Sequence, residues 1–169
     1  MRWVALVAAL LTFGPVLGAQ RAPPARFQAR PSGVRVAVES SRLRVMDGDT
    51  AEIRWSTSDV ETVRVLGVDA PELFAHRGFP SAPTRLGMEA RRFARGAFAT
   101  ARRIELLRAS TLDRYRRTLG YFFLDGRNYS VLLLREGLGR ETITRYGDNG
   151  FPREAAEVKS VARPPRSPR

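Results

Sequence analysis

Hydrophobic residues alternate with polar or small residues through much of the first half of the chain. Residues 34–38, 51–55 and 63–65 each show this period of two, which places the hydrophobic side chains of a strand on one face. The tetrapeptide STSD at 56–59 separates two of these segments and is typical of a turn. The first half of the chain is therefore predicted to form β-strands.

The hydrophobic spacing changes to three and four residues in the middle of the chain. Apolar residues between positions 86 and 101 follow this spacing, which predicts a helix with one apolar face. Residues 103–107 and 118–124 again have the composition of strands. The Asp-Gly pair at 125–126 is a tight-turn signal directly after the second of these strands.

Two further helices are predicted towards the C-terminus. Ser130 is expected to cap a short helix that runs through Leu134 and is ended by Gly137. Pro152 suits the first turn of a last helix, whose apolar residues share one side. Strands with one inserted helix and with helices behind them predict an α+β domain, in which helices pack on an antiparallel β-barrel.

The two ends of the chain differ in composition from this domain. Residues 1–19 combine an early arginine, an apolar segment and small residues, the layout of a signal peptide cleaved near Ala19. An uncleaved membrane anchor is the alternative. Residues 20–33 are rich in proline and arginine and are predicted to be a flexible linker, and residues 163–169 a disordered basic tail. The folded domain is expected at residues 34–162, in a secreted or periplasmic protein.

The charge of the chain points to a polyanionic partner. Among 169 residues the formal net charge is +12, and Lys159 is the only lysine, so arginine supplies nearly all of the positive charge. Nucleic acid, an anionic membrane and an acidic polysaccharide would each attract such a domain. The alternative is that the positive charge serves only to keep the protein soluble. The absence of cysteine excludes a disulfide scaffold, a thiolate zinc site and a cysteine nucleophile.

Two groups of acids follow two different predicted strands. Asp47 and Asp49 flank a glycine, a combination that a simple turn would also explain. Asp69 and Glu72 end a strand some twenty residues later. If the two strands are neighbours, Asp49 and Asp69 meet, and their repulsion requires either a proton or a cation between them. Oxygen ligands without nearby His or Cys favour Ca²⁺ or Mg²⁺.

Arginines accompany these acids. Arg64 lies five residues before Asp69, so an undisturbed strand would place the two on opposite faces, and Gly67 offers a position for a bend. Arg117 is a second candidate, since an arginine fork holds a phosphate through two parallel hydrogen bonds. Two such forks with a divalent cation would neutralise the charge that develops when water attacks phosphorus. A carboxylate such as Glu72 would accept the proton of that water.

The arrangement of these residues resembles the staphylococcal nuclease family. The resemblance extends from about residue 42 to about residue 162 and rests on the motifs VMDGDT, VRVLGVDAPE, GMEARRFA, LDRYRRTLGYFFLDG and LLLREGLGR. It implies an α+β fold, a five-stranded OB-fold β-barrel packed with three α-helices. It also implies a Ca²⁺-dependent nuclease that hydrolyses DNA and RNA and leaves 3′-phosphate and 5′-hydroxyl ends.

The resemblance also implies roles for individual residues. Asp49 and Asp69 match the calcium carboxylates, and Ala70 matches the position whose backbone carbonyl completes the site. Arg64 and Arg117 match the two phosphate-binding arginines. Glu72 matches the glutamate assigned as general base, and Arg114 and Tyr115 match the pair that touches a terminal phosphate.

Some positions depart from the family pattern. Ala70 replaces a threonine, and Arg116 stands where the family has a glycine. Tyr146 is close to one of the later tyrosines of the nucleotide pocket, with a register uncertain by about one residue. His76, the only histidine, lies in a polar loop and is assigned no role.

Three functions compete on this reading. The first is a secreted metal-dependent nuclease, a monomer without a stable protein partner, whose substrates are DNA and RNA. The second is a non-catalytic OB-fold module that binds single-stranded nucleic acid through a basic groove and stacking aromatics. The third is a cell-envelope protein held by basic patches or by an uncleaved N-terminus. The presence of both acids together with both arginines favours the nuclease.

Overall fold

The computed structural model describes residues 26–74 and 83–162. The predicted signal peptide, the predicted C-terminal tail and His76 lie outside the described residues. The strands and helices, in chain order, are β1 (Arg35–Val38), β2 (Leu43–Val45), β3 (Thr50–Arg54), β4 (Val60–Val65), β5 (Val68–Asp69), α1 (Arg85–Thr100), β6 (Ile104–Leu112), β7 (Thr118–Leu124), β8 (Arg127–Asn128), α2 (Tyr129–Arg135), β9 (Arg140–Glu141), α3 (Ile143–Tyr146) and α4 (Pro152–Val161).

Most strands belong to one mixed sheet with the order β1-β6-β7-β4-β3-β2, and β8 pairs with β7. All neighbours are antiparallel except β4 and β7, which run parallel with Val63 opposite Thr118. Strands β5 and β9 form a separate antiparallel pair. The parallel pairing is central to the site, because it makes neighbours of two strands that lie far apart in the sequence.

The predicted α+β class is confirmed, with an OB-fold sheet and packed helices. The structure divides the sheet into more strands than the five expected, and α3 is an additional short helix. A 3₁₀ turn at Ser40–Arg42 separates β1 from β2, and a bend at Gly67 separates β4 from β5. The predicted turn at 125–126 is present, with φ of 50° at Asp125 and 81° at Gly126.

The hydrophobic core lies between the inner face of the sheet and helices α1, α2 and α4. Helix α1 buries Ala90, Ala94 and Phe98, which follow the spacing seen in the sequence. Helix α4 buries Ala155 and Val158. In the described part of the chain, no helix is both long and apolar enough to cross a membrane.

The predicted cap of α2 is wrong by two residues. The side chain of Asn128 accepts a hydrogen bond from the backbone N–H of Ser130 and is the N-cap. The Ser130 hydroxyl instead donates to the carbonyl of Leu66 at 2.7 Å. Ser130 is buried against the β4–β5 connection, so tertiary contact redirects a side chain that local preference would use as a cap.

Residues 26–33, which fall in the predicted linker, lie along β6. The backbone N–H of Leu112 donates to Arg26 at 2.7 Å, that of Gln28 donates to Ser110 at 2.8 Å, and that of Gly33 donates to Arg108 at 2.9 Å. This part of the proline-rich segment therefore extends the edge of the sheet. Composition could not indicate this, because the pairing depends on a partner strand more than seventy residues away.

Candidate active site

A cleft of about 950 Å³ opens beside the ends of β4 and β5. All site residues predicted from the sequence except Ala70 line it: Asp49, Arg64, Asp69, Glu72, Arg114, Tyr115 and Arg117. Ala70 is buried beneath the surface of the cleft. The structure therefore brings together residues that are up to 68 positions apart in the sequence (117 − 49).

Arg64 links the two carboxylates that the sequence predicts to meet. Its guanidinium pairs with Asp49 through one terminal nitrogen, and the other lies 2.5 Å from Oδ1 of Asp69. Thr50 is directly opposite Arg64 in the β3–β4 ladder, which brings the end of the first acid loop beside the arginine. The two acids thus share one cationic partner, as expected for carboxylates that would otherwise repel each other.

Gly67 makes this arrangement possible. Its φ of +82° is in the left-handed region, so the chain bends between Arg64 and Asp69. The bend removes the strict alternation that would have placed the two side chains on opposite faces. A Cβ at this position would also lie 3.1 Å from Val158 and 3.2 Å from Tyr121, which makes the site tight as well as strained for other residues.

Asp49 is held firmly in the floor of the cleft. It is 6% exposed, and its Oδ2 accepts a hydrogen bond from the backbone N–H of Ala70 at 2.6 Å. The Thr50 hydroxyl donates to Oδ1 at 3.2 Å, and the backbone N–H of Val65 donates to the Asp49 carbonyl at 2.9 Å. The contact between Ala70 and Asp49 is thus made by the backbone N–H of Ala70, whereas the family resemblance assigns a role to its carbonyl.

Asp47 is a third acid of the cleft, to which the sequence reading gave no site role. Its Oδ1 accepts from the backbone N–H of Asp49 at 3.1 Å. Burial raises the pKa of Asp47, and this outweighs the hydrogen bonds from Thr50 and the charges of Arg64 and Arg117, which lower it. The acid-glycine-acid pattern is the feature of the sequence that could have indicated a site role for Asp47. It is not specific, because the same pattern is common in ordinary turns.

The loop between β6 and β7 supplies the second arginine. Oδ1 of Asp113 accepts from the backbone N–H groups of Tyr115 and Arg117, at 2.9 and 2.8 Å, and Oδ2 accepts from Nε of Arg117 at 2.7 Å. Arg114 and Arg117 both lie over the ring of Tyr115, at 4.7 and 5.4 Å from its centre. Arg116 has a φ of +65°, which accounts for a glycine at this position of the family pattern.

Helix α1 positions Glu72. The Thr84 hydroxyl donates to the carbonyl of Glu72 at 2.6 Å and also accepts from the backbone N–H of Gly87 at 3.0 Å, which caps the helix. A Cβ on Gly87 would overlap the backbone of Glu72. The exposed glutamate therefore reaches the cleft from a backbone that is fixed against the start of the helix.

The opposite wall of the cleft comes from β9 and α3. Arg140 lies across from Asp69 in the β5–β9 pair, and Arg145 stacks on Tyr146 at 5.1 Å from the ring centre. Tyr146 is 65% exposed. The sequence leaves the register of Tyr146 open, and nothing local distinguishes Arg140 or Arg145 in a chain with so many arginines.

Tyr129 is another residue that the sequence did not reveal. Its hydroxyl donates to the carbonyl of Gly48 at 2.7 Å and holds the loop that carries Asp47 and Asp49. Burial raises the pKa of Tyr129 above its usual value, so the hydroxyl keeps the proton that it donates. No motif marks such a residue, since its partner is a backbone group 81 positions away.

The donor chemistry of the cleft fits a hard cation. Two carboxylates already converge on one positive group, and the surrounding candidate ligands are oxygens. Within residues 26–74 and 83–162, no group of three or more His, Cys, Asp or Glu side chains is arranged tightly enough to hold a metal by itself. Any ion would therefore need backbone, water or substrate oxygens besides the carboxylates of Asp49 and Asp69.

Comparison with known proteins finds nucleases among the proteins that this chain resembles. A family model of staphylococcal nuclease homologues matches residues 62–166. The SPbeta prophage-derived endonuclease YokF of Bacillus subtilis (strain 168) is 31% identical over 123 residues, covering 69% of this chain and 40% of that protein. The thermonuclease of Staphylococcus intermedius is 38% identical over 99 residues, covering 57% and 55%.

A third relative is the endonuclease YncB of Bacillus subtilis (strain 168), which is 31% identical over 123 residues, covering 69% of this chain and 56% of that protein. The chain thus spans about half the length of the curated relatives that it matches.

Proposed function

This chain belongs to the staphylococcal nuclease family, and from that premise we propose that it is a nuclease that hydrolyses phosphodiester bonds in DNA and RNA. The observation that carries the proposal is the presence of two acids, two arginines and a further glutamate in one cleft. A module that only binds nucleic acid would need the arginines and aromatics but would have no use for the buried Asp49.

The proposed cofactor is Ca²⁺, held by Asp49, Asp69 and the carbonyl of Ala70. When bound, the ion supplies positive charge beside the oxygens of the scissile phosphate. The chain's own contribution is a pair of guanidinium groups, Arg64 and Arg117, that grip the phosphate and stabilise its developing charge. Their positions on β4 and on the β6–β7 loop support this role.

Glu72 is proposed to accept the proton of the attacking water. The oxygen of the water bonds to phosphorus, the bond to the 5′ oxygen breaks, and that oxygen takes a proton from solvent, to which Glu72 returns the proton that it accepted. The products are a 3′-phosphate and a 5′-hydroxyl. Arg114 and Tyr115, whose guanidinium and ring stack on each other and which both line the cleft, are proposed to contact the terminal phosphate of the bound strand.

The test is cleavage of a labelled oligonucleotide by the purified protein, with millimolar Ca²⁺ or with a chelator. We expect cleavage that depends on Ca²⁺, and a loss of about 10²–10³ or more in rate for Asp49→Ala, Arg64→Ala or Arg117→Ala. Arg54→Ala, which removes an exposed arginine outside the cleft, is the matched control and should cleave normally. Binding without metal-dependent turnover would instead support the non-catalytic alternative.

Export is a separate proposal. Residues 1–19 have the composition of a signal peptide, and we propose that the protein functions outside the cytoplasm after its removal. Mass spectrometry of the protein recovered from an expressing culture tests this. An N-terminus near Ala19 or Gln20 is expected, and an intact Met1 on the recovered protein would contradict cleavage.

A further inference from the structure

We propose that Glu61 is a positioning residue of the site, because its buried carboxylate joins the strand that carries Arg64 to the strand that follows Arg117. The inference rests on the proposed function, since it assigns a role within that site. It concerns a residue on the core side of the sheet, which does not line the cleft.

The Glu61 carboxylate is saturated with hydrogen bonds although it is only 5% exposed. Its Oε1 accepts from Nε of Arg108 at 2.8 Å and from the Thr118 hydroxyl at 2.7 Å. Its Oε2 accepts from Nη2 of Arg108 at 2.8 Å and from Nε1 of Trp55 at 2.7 Å. Arg108 is itself 2% exposed, so the ion pair is enclosed by protein.

The network of hydrogen bonds around Glu61 lies close in sequence to both arginines of the site. Glu61 is three residues before Arg64 in β4, and Thr118 directly follows Arg117 at the start of β7. Val63 pairs with Thr118 in the parallel ladder. The hydrogen bond from Thr118 to Glu61 therefore joins the two strands. It lies close in sequence to Arg64 and Arg117, whose side chains line the cleft.

Arg64 and the network occupy opposite faces of the sheet. In β4, Glu61 and Val63 are buried, while Arg64 belongs to the alternate face. Glu61 therefore does not touch the cleft, and its effect on the arginines passes through the backbones of β4 and β7. This makes it a positioning residue and not a catalytic one.

The charge state of Glu61 strengthens the link. Burial alone would raise its pKa, but the hydrogen bonds from Arg108, Thr118 and Trp55 outweigh burial and lower the pKa below the usual value of a glutamate. The carboxylate is therefore ionised at neutral pH, and its hydrogen bonds are of the strong, charge-assisted kind. Such bonds are directional, so they resist a shift of β7 relative to β4.

The N-terminal segment joins the same network. Nε2 of Gln28 donates to the Thr118 hydroxyl at 2.9 Å, and Nη1 of Arg108 donates to the carbonyl of Pro31 at 3.4 Å. The Thr118 hydroxyl thus accepts from one side and donates to Glu61 on the other. The segment at 26–33, read from its composition as a linker, helps to hold the start of β7.

Thr118→Val and Thr118→Ser separate positioning from stability. Valine keeps the volume of the side chain and loses the hydroxyl, whereas serine keeps the hydroxyl and loses a buried methyl group. With Ca²⁺ and a labelled oligonucleotide, we expect Thr118→Val to lower kcat about tenfold or more with little change in KM. Thr118→Ser should retain most of kcat although its Tm is lowered.

Thr62→Val is the matched control, because it removes a hydroxyl from β4 outside the network. The positioning role is overturned if Thr118→Val keeps the wild-type kcat, or if both Thr118 variants lose activity in proportion to their loss in Tm.

If the wild-type protein does not cleave, the proposed function fails, and the Nε–H resonance of Arg117 in a ¹⁵N spectrum decides the positioning claim. That resonance should shift in Thr118→Val and stay in place in Thr62→Val, and an unchanged resonance in both would refute the claim.

Discussion

Gly48 lies between Asp47 and Asp49, at a point where the chain leaves no room for a side chain. A Cβ there would lie 2.6 Å from the Cβ of Ala70 and 2.9 Å from the Cβ of Ala90. Both neighbours are short and cannot rotate away, so the loop itself would have to move. The glycine therefore serves close approach to α1, in addition to any turn that it permits.

Gly48→Ala is expected to lower both the stability of the protein and its affinity for Ca²⁺, although it adds only one methyl group. The added methyl group must push the acid loop away from Ala70 and Ala90, at a cost of about 1–3 kcal/mol in the free energy of unfolding. The displaced loop should also weaken Ca²⁺ binding, measured by titration calorimetry alongside denaturant unfolding.

Gly96→Ala in α1 provides the control for this substitution, because no atom beyond the adjacent helix backbone would lie within 4 Å of a Cβ at this position. Alanine there should stabilise the helix by up to about 1 kcal/mol. Equal effects of the two substitutions would contradict the close-approach argument.

Among the elements, α1 has the most direct influence on the proposed general base. Its first turn is capped by Thr84, and the same hydroxyl donates to the backbone of Glu72. The absence of a side chain at Gly87 allows the helix to pack on that backbone. The start of the helix and the position of Glu72 are thus set by the same contacts.

Thr84→Ala should therefore reduce both stability and turnover. Loss of the cap is expected to cost about 1 kcal/mol in the free energy of unfolding. Release of the Glu72 backbone should also lower kcat, while Thr84→Ser should restore it. Thermal unfolding and cleavage of a labelled oligonucleotide provide the two measurements.

Thr100→Ala is the control at the other end of α1, where the hydroxyl donates to the carbonyl of Gly96 at 2.9 Å. It should leave kcat unchanged. If Thr84→Ala also leaves kcat unchanged, the cap does not position Glu72.

For the molecule as a whole, the buried Glu61–Arg108 pair predicts a loss of stability in acid. The hydrogen bonds from Arg108, Thr118 and Trp55 lower the pKa of Glu61 in the folded protein, so the unfolded chain takes up its proton first as the pH falls. The contribution of Glu61 is complete at pH values above the pKa that Glu61 has in the unfolded chain, and it is lost as the pH falls through the folded pKa.

Urea unfolding of the wild-type protein and of Glu61→Gln, measured at a series of pH values, checks this prediction. The difference in unfolding free energy between them should narrow in acid. A difference that stays constant from pH 7 to pH 3 would show that the carboxylate does not contribute through its charge.

The net charge of +12 predicts that nucleic-acid binding depends strongly on salt. A protein that neutralises about three phosphates of a single strand should lose affinity roughly twentyfold between 50 and 200 mM salt. Fluorescence anisotropy with a labelled oligonucleotide in the presence of a chelator measures binding without cleavage. Affinity that does not change with salt would indicate that the arginines serve solubility alone.

Local pattern was sufficient for much of the description. Alternation in the strands, the three-and-four spacing of α1 and the turn at 125–126 depend on neighbours within a few residues, and the structure contains all of them. The two groups of acids and the bend at Gly67 could be selected for the same reason, because each stands out near the end of a predicted strand. Arg64 and Arg117 do not stand out locally in a chain so rich in arginine, and their selection depended on the family resemblance and, for Arg64, on the acids that follow it. Local preference was misleading at Ser130, where a contact with Leu66 competes with capping.

Contacts between distant segments account for the rest. The parallel pairing of β4 with β7 brings Thr118 to Glu61, the β5–β9 pair brings Arg140 to Asp69, and Tyr129 reaches Gly48 across 81 residues. Each depends on which strands and helices become neighbours when the core closes, and that choice minimises the free energy of the whole chain. The residues next to a position in the sequence do not indicate which distant segment will pack against it. The chemistry of the cleft could therefore be predicted from the residue types, but the contacts that support the cleft could be found only in the folded protein.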